Sequence, residues 1–329
     1  MLTRWQRHTA APCVDNGLPM QGDNDVAEDV AALFERHRPS ITGLAYRMIG
    51  SVAEAQDIAQ ETYLRFRGAL EVRETVVQDA KAFLHKVAAR LCLDHLKTAR
   101  VRREAYVGTW LPEPTTTDGV GSLVAAPSPA EHVHDISFAL LLTLDRLTPP
   151  ERAAFLLHDV FDLSFAEIAE AIGQEPASCR QLASRARRHI AELKPRFQPP
   201  PEIASQLIQA FLTTLATGDV DAICGLLAQD AVLYSDGGGK VLAALKPIHG
   251  GHRIARFYGG VLTKFPPPSP LDVRLAFLNG LPGAVIGSGG SAIQTFAFEI
   301  DSAGQIKTMY TTRNPEKLLG LSKLFSTSP

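Results

Sequence analysis

Three consecutive prolines, Pro199-Pro200-Pro201, divide this chain into two stretches with different hydrophobic rhythms. Proline fixes φ, offers no backbone donor and biases the residue before it away from helix, so no regular element runs through such a triplet. Upstream, apolar residues recur every three or four positions, which is the helical period. Downstream, one amphipathic helix marked by Ile203, Leu207, Phe211 and Leu215 ends at Gly218. Strand-like stretches follow at 231–235, 271–278, 284–288, 293–300 and 306–312, punctuated by Gly and Pro. The 329 residues suffice for two or three domains. The expected order is helical, linker, helical, then α+β, with no internal repeat.

Val26, Val30, Leu33 and Phe34 start the helical part, and Pro39 is expected to open a second helix. Ser51 and Glu54 have capping-box spacing ahead of a helix from Val52 to Phe66, and another runs from Ala80 to about Val101. Trp110-Leu-Pro-Glu-Pro114 and the Thr/Gly/Ala/Ser/Pro stretch to Pro129 read as an irregular connector. Helices resume from Ala130 to Leu147, and Thr148 and Glu151 repeat the capping-box spacing. Composition excludes several classes. With 45% hydrophobic and 21% charged residues the chain is an ordinary soluble one. It lacks an apolar run of roughly 18 residues, and residues 1–21 carry no apolar core of a secretory leader. Cys13, Cys92, Cys179 and Cys224 are too dispersed for a zinc knuckle or disulfide framework and suit a reducing cytosol. No cofactor or metal is implied. The net charge of −2 averages over segments that differ sharply.

Two helices concentrate positive charge. On Ala80–Val101, Leu84, Val87, Ala88 and Leu91 gather on one face, while Lys86, Arg90, Lys97 and Arg100 share another. A rigid rod packed on one side and lined with cations on the other fits a phosphate backbone, although the same stripe also fits a solvated face. Leu163-Ser-Phe-Ala-Glu-Ile-Ala-Glu-Ala-Ile-Gly173, followed by Pro176 to Leu193, has helix-turn-helix form. Cys179, Leu182, Ala183, Ala186, Ile190 and Leu193 share the inner face of its second helix. Ala177, Arg180, Gln181, Ser184, Arg187 and Arg188 share the outer one, mixing donors for base edges with cations for phosphates. Two such helices on one chain suggest two DNA contacts.

The order of these segments carries a family resemblance. Asp57-Ile-Ala-Gln-Glu-Thr-Tyr-Leu-Arg-Phe66 resembles the polymerase-binding helix of sigma region 2. Ala82 to Lys97 resembles the segment that melts and reads the minus-ten element. Leu147-Thr-Pro-Pro-Glu-Arg152 with the helix-turn-helix resembles sigma region 4, which binds the minus-thirty-five element. Together, over about residues 26–195, they resemble an extracytoplasmic-function (ECF) RNA polymerase sigma factor. From residue 202 the order helix, strand, helix, several strands resembles a SnoaL-like cone. Trp110-Leu-Pro-Glu-Pro114, Asp236-Gly-Gly-Gly-Lys240, Asn314-Pro-Glu-Lys-Leu318 and Cys179-Arg-Gln-Leu182 resemble the sigma subgroup that carries this domain fused.

The resemblance implies a multidomain chain: a flexible tail at 1–25, an all-α region 2 bundle at 26–108 and a linker at 109–130. An all-α region 4 helix-turn-helix at 131–196 and an α+β SnoaL-like cone at 202–322 complete it. It implies a cytoplasmic, non-enzymatic transcription factor whose partners are RNA polymerase core and promoter DNA, with no membrane association and an unidentified small ligand as an option in the cone. Asp57, Gln60, Glu61 and Leu64 would face the polymerase. Lys86, Arg90, Lys97 and Arg100 would hold minus-ten DNA, with Val77, Gln78 and Asp79 capturing an unstacked base. Ala177, Arg180, Gln181, Ser184, Arg187 and Arg188 would read the distal element. Regulation would involve Trp110, Pro112, Asp236, Gly237, Gly238, Gly239, Lys240, Asn314 and Pro315.

Three readings of the Asp236 segment stand at this level. It could dock on the helical domains. It could be a tight glycine turn with Lys240 paired to a neighbour. Or Asp236 could be a general base helped by His249, His252 or Tyr234, in an isomerase- or cyclase-like cone. Trp110 is expected in a pocket, either on region 2 or on the cone, and His85 and His95 are expected to pack or to neighbour a phosphate rather than bind metal. The rival binding function is a ligand-responsive DNA-binding regulator acting without polymerase.

Overall fold

The computed structural model describes residues 23–71, 79–116, 137–191, 197 and 199–325. Val77, Gln78, residues 1–22 of the expected tail and the connector from residue 117 to 136 lie outside them. Three long helices come first: α1 (Asp23–Ile49), α2 (Val52–Glu71) and α3 (Ala80–Glu104). Pro39 does not open a new helix; it lies inside α1. An interior proline costs about 3 kcal/mol, but Phe34 before it and Ile41 and Leu44 after it are buried in one core, and keeping the helix continuous keeps all three there.

After the linker come α4 (Phe138–Arg146) and α5 (Pro149–Phe155), the latter running into a π-type turn at Leu156–Val160. The Thr148–Glu151 capping box forms as expected. The helix-turn-helix is α6 (Phe165–Ile172) and α7 (Pro176–Ala191). Ser164 and Glu167 make a second capping box at the start of α6, and Gly173 ends it at φ 69°, in the left-handed region glycine tolerates. Cys179, Ala183, Ala186 and Ile190 are buried along α7, and Arg180, Gln181, Ser184, Arg187 and Arg188 are exposed. One apolar core unites α1–α3 with α4–α7. The two helical units are therefore packed together rather than tethered.

The C-terminal unit opens with α8 (Pro201–Thr217) and α9 (Val220–Leu226). A six-stranded sheet follows, built from β1 (Leu227–Asp236), β2 (Ile248–His249), β3 (Asp272–Leu278), β4 (Leu281–Ser288), β5 (Ser291–Ile300) and β6 (Ile306–Thr312). The order is β2-β1-β6-β5-β4-β3, with β1 parallel to β6 and the other pairs antiparallel. α10 (Gly251–Lys264) crosses one face, and α11 (Pro315–Leu318) with a 3₁₀ turn at Leu319–Leu324 closes the chain. Among the described residues no helix is long and apolar enough to cross a membrane.

Successive side chains on a strand point to opposite faces, and here each face has its own core. Ala231 and Leu233 on β1 and Met309 on β6 pack inward with Phe211, Tyr258 and Phe296. Tyr234 and Tyr310 point the other way and join Leu111 of the linker and Phe138 of α4. The rings of Tyr234, Tyr310 and Phe138 stack with centroids 5.5 and 4.9 Å apart, which seats the sheet directly on α4.

His85 on α3 shows how the helical units lock. Its ring is fully buried, 2.8 Å from Ser40 Oγ on α1 and 2.7 Å from the Lys81 carbonyl, and it tilts against Phe161 at 5.0 Å. It packs, as expected. Burial lowers its pKa from 6.5 to about 4. Between those values the unfolded chain takes up a proton that the folded one refuses, so this group destabilises the fold as pH falls below 6.5. At about 1.4 kcal/mol per pH unit the loss reaches about 3 kcal/mol near pH 4. Urea midpoints at pH 7 and pH 4.5 should therefore fall further for the wild type than for His85→Gln, and equal falls would show that His85 does not set the dependence.

Candidate functional site

The linker residues Tyr106–Thr116 run between the region 2 helices and the outer face of the sheet and are hydrogen-bonded to both. Asp236, at the end of β1, is fully buried. Its carboxylate accepts hydrogen bonds from Tyr106 Oη (2.5 Å), the Leu111 backbone N–H (2.8 Å) and the Gly238 N–H (3.0 Å), and pairs with Lys317 Nζ at 2.7 Å. Four donors from three segments converge on one charge. Lys317 also donates to the Leu111 carbonyl and lies 4.5 Å from the Trp110 ring centroid and 5.0 Å from that of Tyr106. Asn314 Nδ2 donates to Tyr106 Oη at 3.0 Å. Burial and the adjacent carboxylate push the Tyr106 hydroxyl far above its ordinary pKa, so it remains a donor.

The other side of the linker is held by region 2. The Glu113 carboxylate accepts from the Val52 N–H (2.8 Å) and Ser51 Oγ (3.1 Å), so it occupies the N-terminus of α2. Ser51 and Glu54 thus form only half of the expected capping box: the Glu54 N–H meets Ser51 Oγ at 3.4 Å, while the Glu54 carboxylate sits 3.2 Å from His95. Desolvation raises the Glu113 pKa. Tyr46 Oη donates to the Glu113 carbonyl and accepts from Asn279 Nδ2, at 2.7 and 2.6 Å. Asn279 also pairs with Thr115 through its N–H and its Oδ1. It lies at φ 50° in the Asn-Gly turn between β3 and β4, a hairpin signal that alone says nothing about its partners.

Trp110 lies between the two bodies it was expected to choose from. One ring edge rests on Gly50, where an added Cβ would come within 2.5 Å of Cη2, and Lys317 lies over the ring. Gly50 has φ +80°, so both its backbone and its lack of a side chain are used. Pro112 is buried beside it. In the Asp236-Gly-Gly-Gly-Lys240 loop, a Cβ on Gly237 would strike the Val241 carbonyl, and one on Gly238 would strike Asn314. Gly239 abuts Val107 of the linker. The loop is therefore a tight turn and also a docking edge. Lys240 pairs with Glu316 within the C-terminal unit, and Pro315 opens α11 next to Asn314.

The general-base reading of Asp236 does not fit this placement. The strand alternation turns Asp236 and Tyr234 away from the cone interior, and His249 and His252 line a separate open depression. Four donors already occupy its carboxylate, which faces the linker and not the cavity.

The nucleic-acid candidates divide unevenly. On α3, Lys86 Nζ pairs with Glu170 at 2.7 Å, and Arg90 donates to the carbonyls of Glu170 (2.6 Å) and Ala171 (3.2 Å) at the end of α6. Lys97 is exposed and pairs with Asp94 on its own helix. The Asp79 carboxylate accepts from the Ala82 N–H and caps α3. Arg100 lies on α3, but its side chain is outside the described residues. On α7, Arg187 pairs with Asp159 at 2.7 Å and Arg180 lies over Phe165. Ala177, Gln181, Ser184 and Arg188 face solvent. Asp57, Gln60 and Leu64 are exposed on α2, and Glu61 pairs with Arg65. The polymerase candidates Asp57, Gln60 and Leu64 are exposed, whereas two minus-ten candidates are bonded to the end of α6, Arg90 at an exposed position.

Comparison with known proteins agrees with this organisation. Residues 33–102 match Sigma-70 region 2, and residues 137–190 match Sigma-70, region 4. The chain belongs to the ECF RNA polymerase sigma factors. It is 35% identical over 299 residues to the ECF RNA polymerase sigma factor SigJ of Mycobacterium tuberculosis, spanning 87% of this chain and 92% of that protein. It is 28% identical over 286 residues to SigG of the same species, spanning 78% of this chain and 73% of that one. The crystal structure of M. tuberculosis SigJ aligns with a TM-score of 0.65 at 34% identity, covering 88% of this chain and 98% of that one.

Tyr46, Tyr106, Asn279 and Lys317 escaped sequence reasoning. Only Lys317 had a signal, as part of Asn314-Pro-Glu-Lys-Leu318. Replacing Asp236 with Ala removes the carboxylate shared by Tyr106, Leu111 and Lys317, and breaking such a buried ion pair costs about 3–5 kcal/mol. In a Trp5→Phe background, where Trp110 is the sole tryptophan, Asp236→Ala should red-shift its emission and speed hydrogen exchange at Leu111. Gly50→Ala should shift the same emission. An unchanged spectrum in both would mean that the linker is not held this way.

Proposed function

We propose that this sigma factor rests in a closed state, in which its own C-terminal unit and linker hold regions 2 and 4 together, and that it opens to place RNA polymerase at promoters. The observation that carries this is the contact of Lys86 and Arg90 with the end of α6. The minus-ten and minus-thirty-five elements lie about 25 base pairs apart, roughly 85 Å at 3.4 Å per pair. A chain whose α3 and α6 share hydrogen bonds of 2.6–3.2 Å cannot span them. Regions 2 and 4 must separate before both can read DNA.

In the open state, Lys86, Arg90, Lys97 and Arg100 bind phosphates around the minus-ten element, and Val77, Gln78 and Asp79 accept an unstacked base. Arg180 and Gln181 read base edges of the distal element, with Ala177, Ser184, Arg187 and Arg188 around them. Asp57, Gln60, Glu61 and Leu64 meet the polymerase; their exposure in the closed state means that core can engage first. The C-terminal unit works as a regulator in the cytoplasm, not as an enzyme. The burial of Asp236 against the linker supports that assignment.

Two measurements test this. Asp57→Lys with Glu61→Lys should abolish binding to core polymerase and leave the affinity of the helix-turn-helix for DNA unchanged; normal core affinity would refute the assignment of that face. Glu170→Lys sets a third cation beside Lys86 and Arg90. It should raise run-off transcription from a cognate promoter several-fold over the wild type in a purified system, with core affinity unchanged. Equal yields would remove the closed-state reading.

A further inference from the structure

The inner face of the sheet encloses a cavity of about 460 Å³ between α8, α10, the β strands and the 265–268 segment. That lies within the range of small-molecule sites. Its walls are apolar, with Leu215, Phe257, Val261, Ile286 and Phe296 among them. Its rim leaves Phe265, Leu271 and Val273 exposed by 59, 39 and 48%, a grouping a soluble protein seldom leaves open without use. In the aromatic core beneath, the Tyr258 hydroxyl meets Thr311 Oγ1 at 3.2 Å.

One residue breaks the apolar character. Arg313, just past β6, is the only charged side chain among those lining the cavity. Its Nη1 donates to the Leu242 carbonyl at 2.7 Å, and its Nε is buried with no partner among the described residues. Desolvation pulls its pKa below the ordinary guanidinium value. A cation held in an apolar pocket without a counter-ion is costly unless an anion arrives to share its donors. Ser235 and Gln294, on the same wall, add neutral hydrogen-bonding capacity.

We propose that this cavity binds an elongated apolar molecule carrying one acidic group, with the acid on the Arg313 guanidinium and the apolar body between α8, α10 and the sheet. This goes beyond the closed-state reading and does not require it. The site is nevertheless one residue from the clamp: the Arg313 and Asn314 N–H groups both donate to the Asp236 carbonyl, at 2.7 and 3.1 Å. Leu242, the present acceptor for Arg313, belongs to the loop that begins at Asp236.

The test uses the full chain and three probes of equal length, each below its micelle concentration: decanoate, decanol and decyltrimethylammonium, measured by isothermal titration calorimetry. Decanoate should bind one per chain, at least tenfold more tightly than either other probe. Arg313→Gln should erase that preference while retaining weak binding of decanol. Ala216→Trp, at the solvent-exposed mouth, should weaken all binding without touching the buried core. Equal affinity for all three probes, no saturable binding by any, or a decanoate preference that survives both substitutions would overturn the proposal. None of these outcomes depends on transcription, so failure here leaves the Glu170→Lys result standing on its own.

Discussion

The buried carboxylate of Asp236 is the interaction on which the arrangement of the chain depends. A fully desolvated charge is tolerated only when nearly all its acceptor capacity is used. Here the donors come from the linker (Tyr106, Leu111), from its own turn (Gly238) and from α11 (Lys317). None of these segments could leave alone without stranding the charge. The linker, pinned there, brings Glu113 to the N-terminus of α2 and Trp110 onto Gly50. Region 2 is thereby joined to the sheet, and Phe138 stacked on Tyr310 joins region 4 to it.

The period-two geometry of β1 and β6 lets one sheet serve two tasks. Ser235 and Thr311 line the cavity, while Tyr234, Asp236 and Tyr310 face the helical domains. Adjacent residues on one strand thus belong to separate environments, linked only by rigid backbone. Arg313 and Asn314 repeat the division at the end of β6: the first lines the cavity, and the second bonds Tyr106. Both of their N–H groups donate to the same Asp236 carbonyl, so the two faces meet at one backbone junction.

What could be read from the sequence was mostly local. The apolar stripes of α3 and of α7 as far as Ile190 (Leu193 lies outside the described residues), the Thr148–Glu151 box and the change of rhythm at the proline triplet depend on neighbours within a few positions, and they appear where expected. The packing of Pro39 inside α1 was not readable, because distant core contacts overrode a local preference. The glycine loop and Asn314 were legible as docking edges only through family likeness, and the pattern did not reveal Tyr46, Asn279 or Tyr106 as their counterparts. Tyr46 and Asn279 are 233 positions apart, and Tyr106 and Asp236 are 130 apart. The basic stripe on α3 was visible in the same way, whereas its cover, Glu170, lies 84 residues away.

If the proposed closed state holds, the restraining domain and the restrained one are a single polypeptide, and their ratio is fixed at one to one in every molecule. A separate inhibitor acts at whatever concentration the cell supplies, and it can be outnumbered, diluted or degraded. A covalently joined partner acts at an effective concentration on the order of millimolar, whatever the amount of protein made. Synthesising more of this chain therefore cannot by itself raise the open fraction, and fluctuations in expression scale both states equally. Only a change in the intramolecular equilibrium can move the balance, so the open fraction follows the chemical state of each molecule, while the number of open molecules simply scales with the copies made.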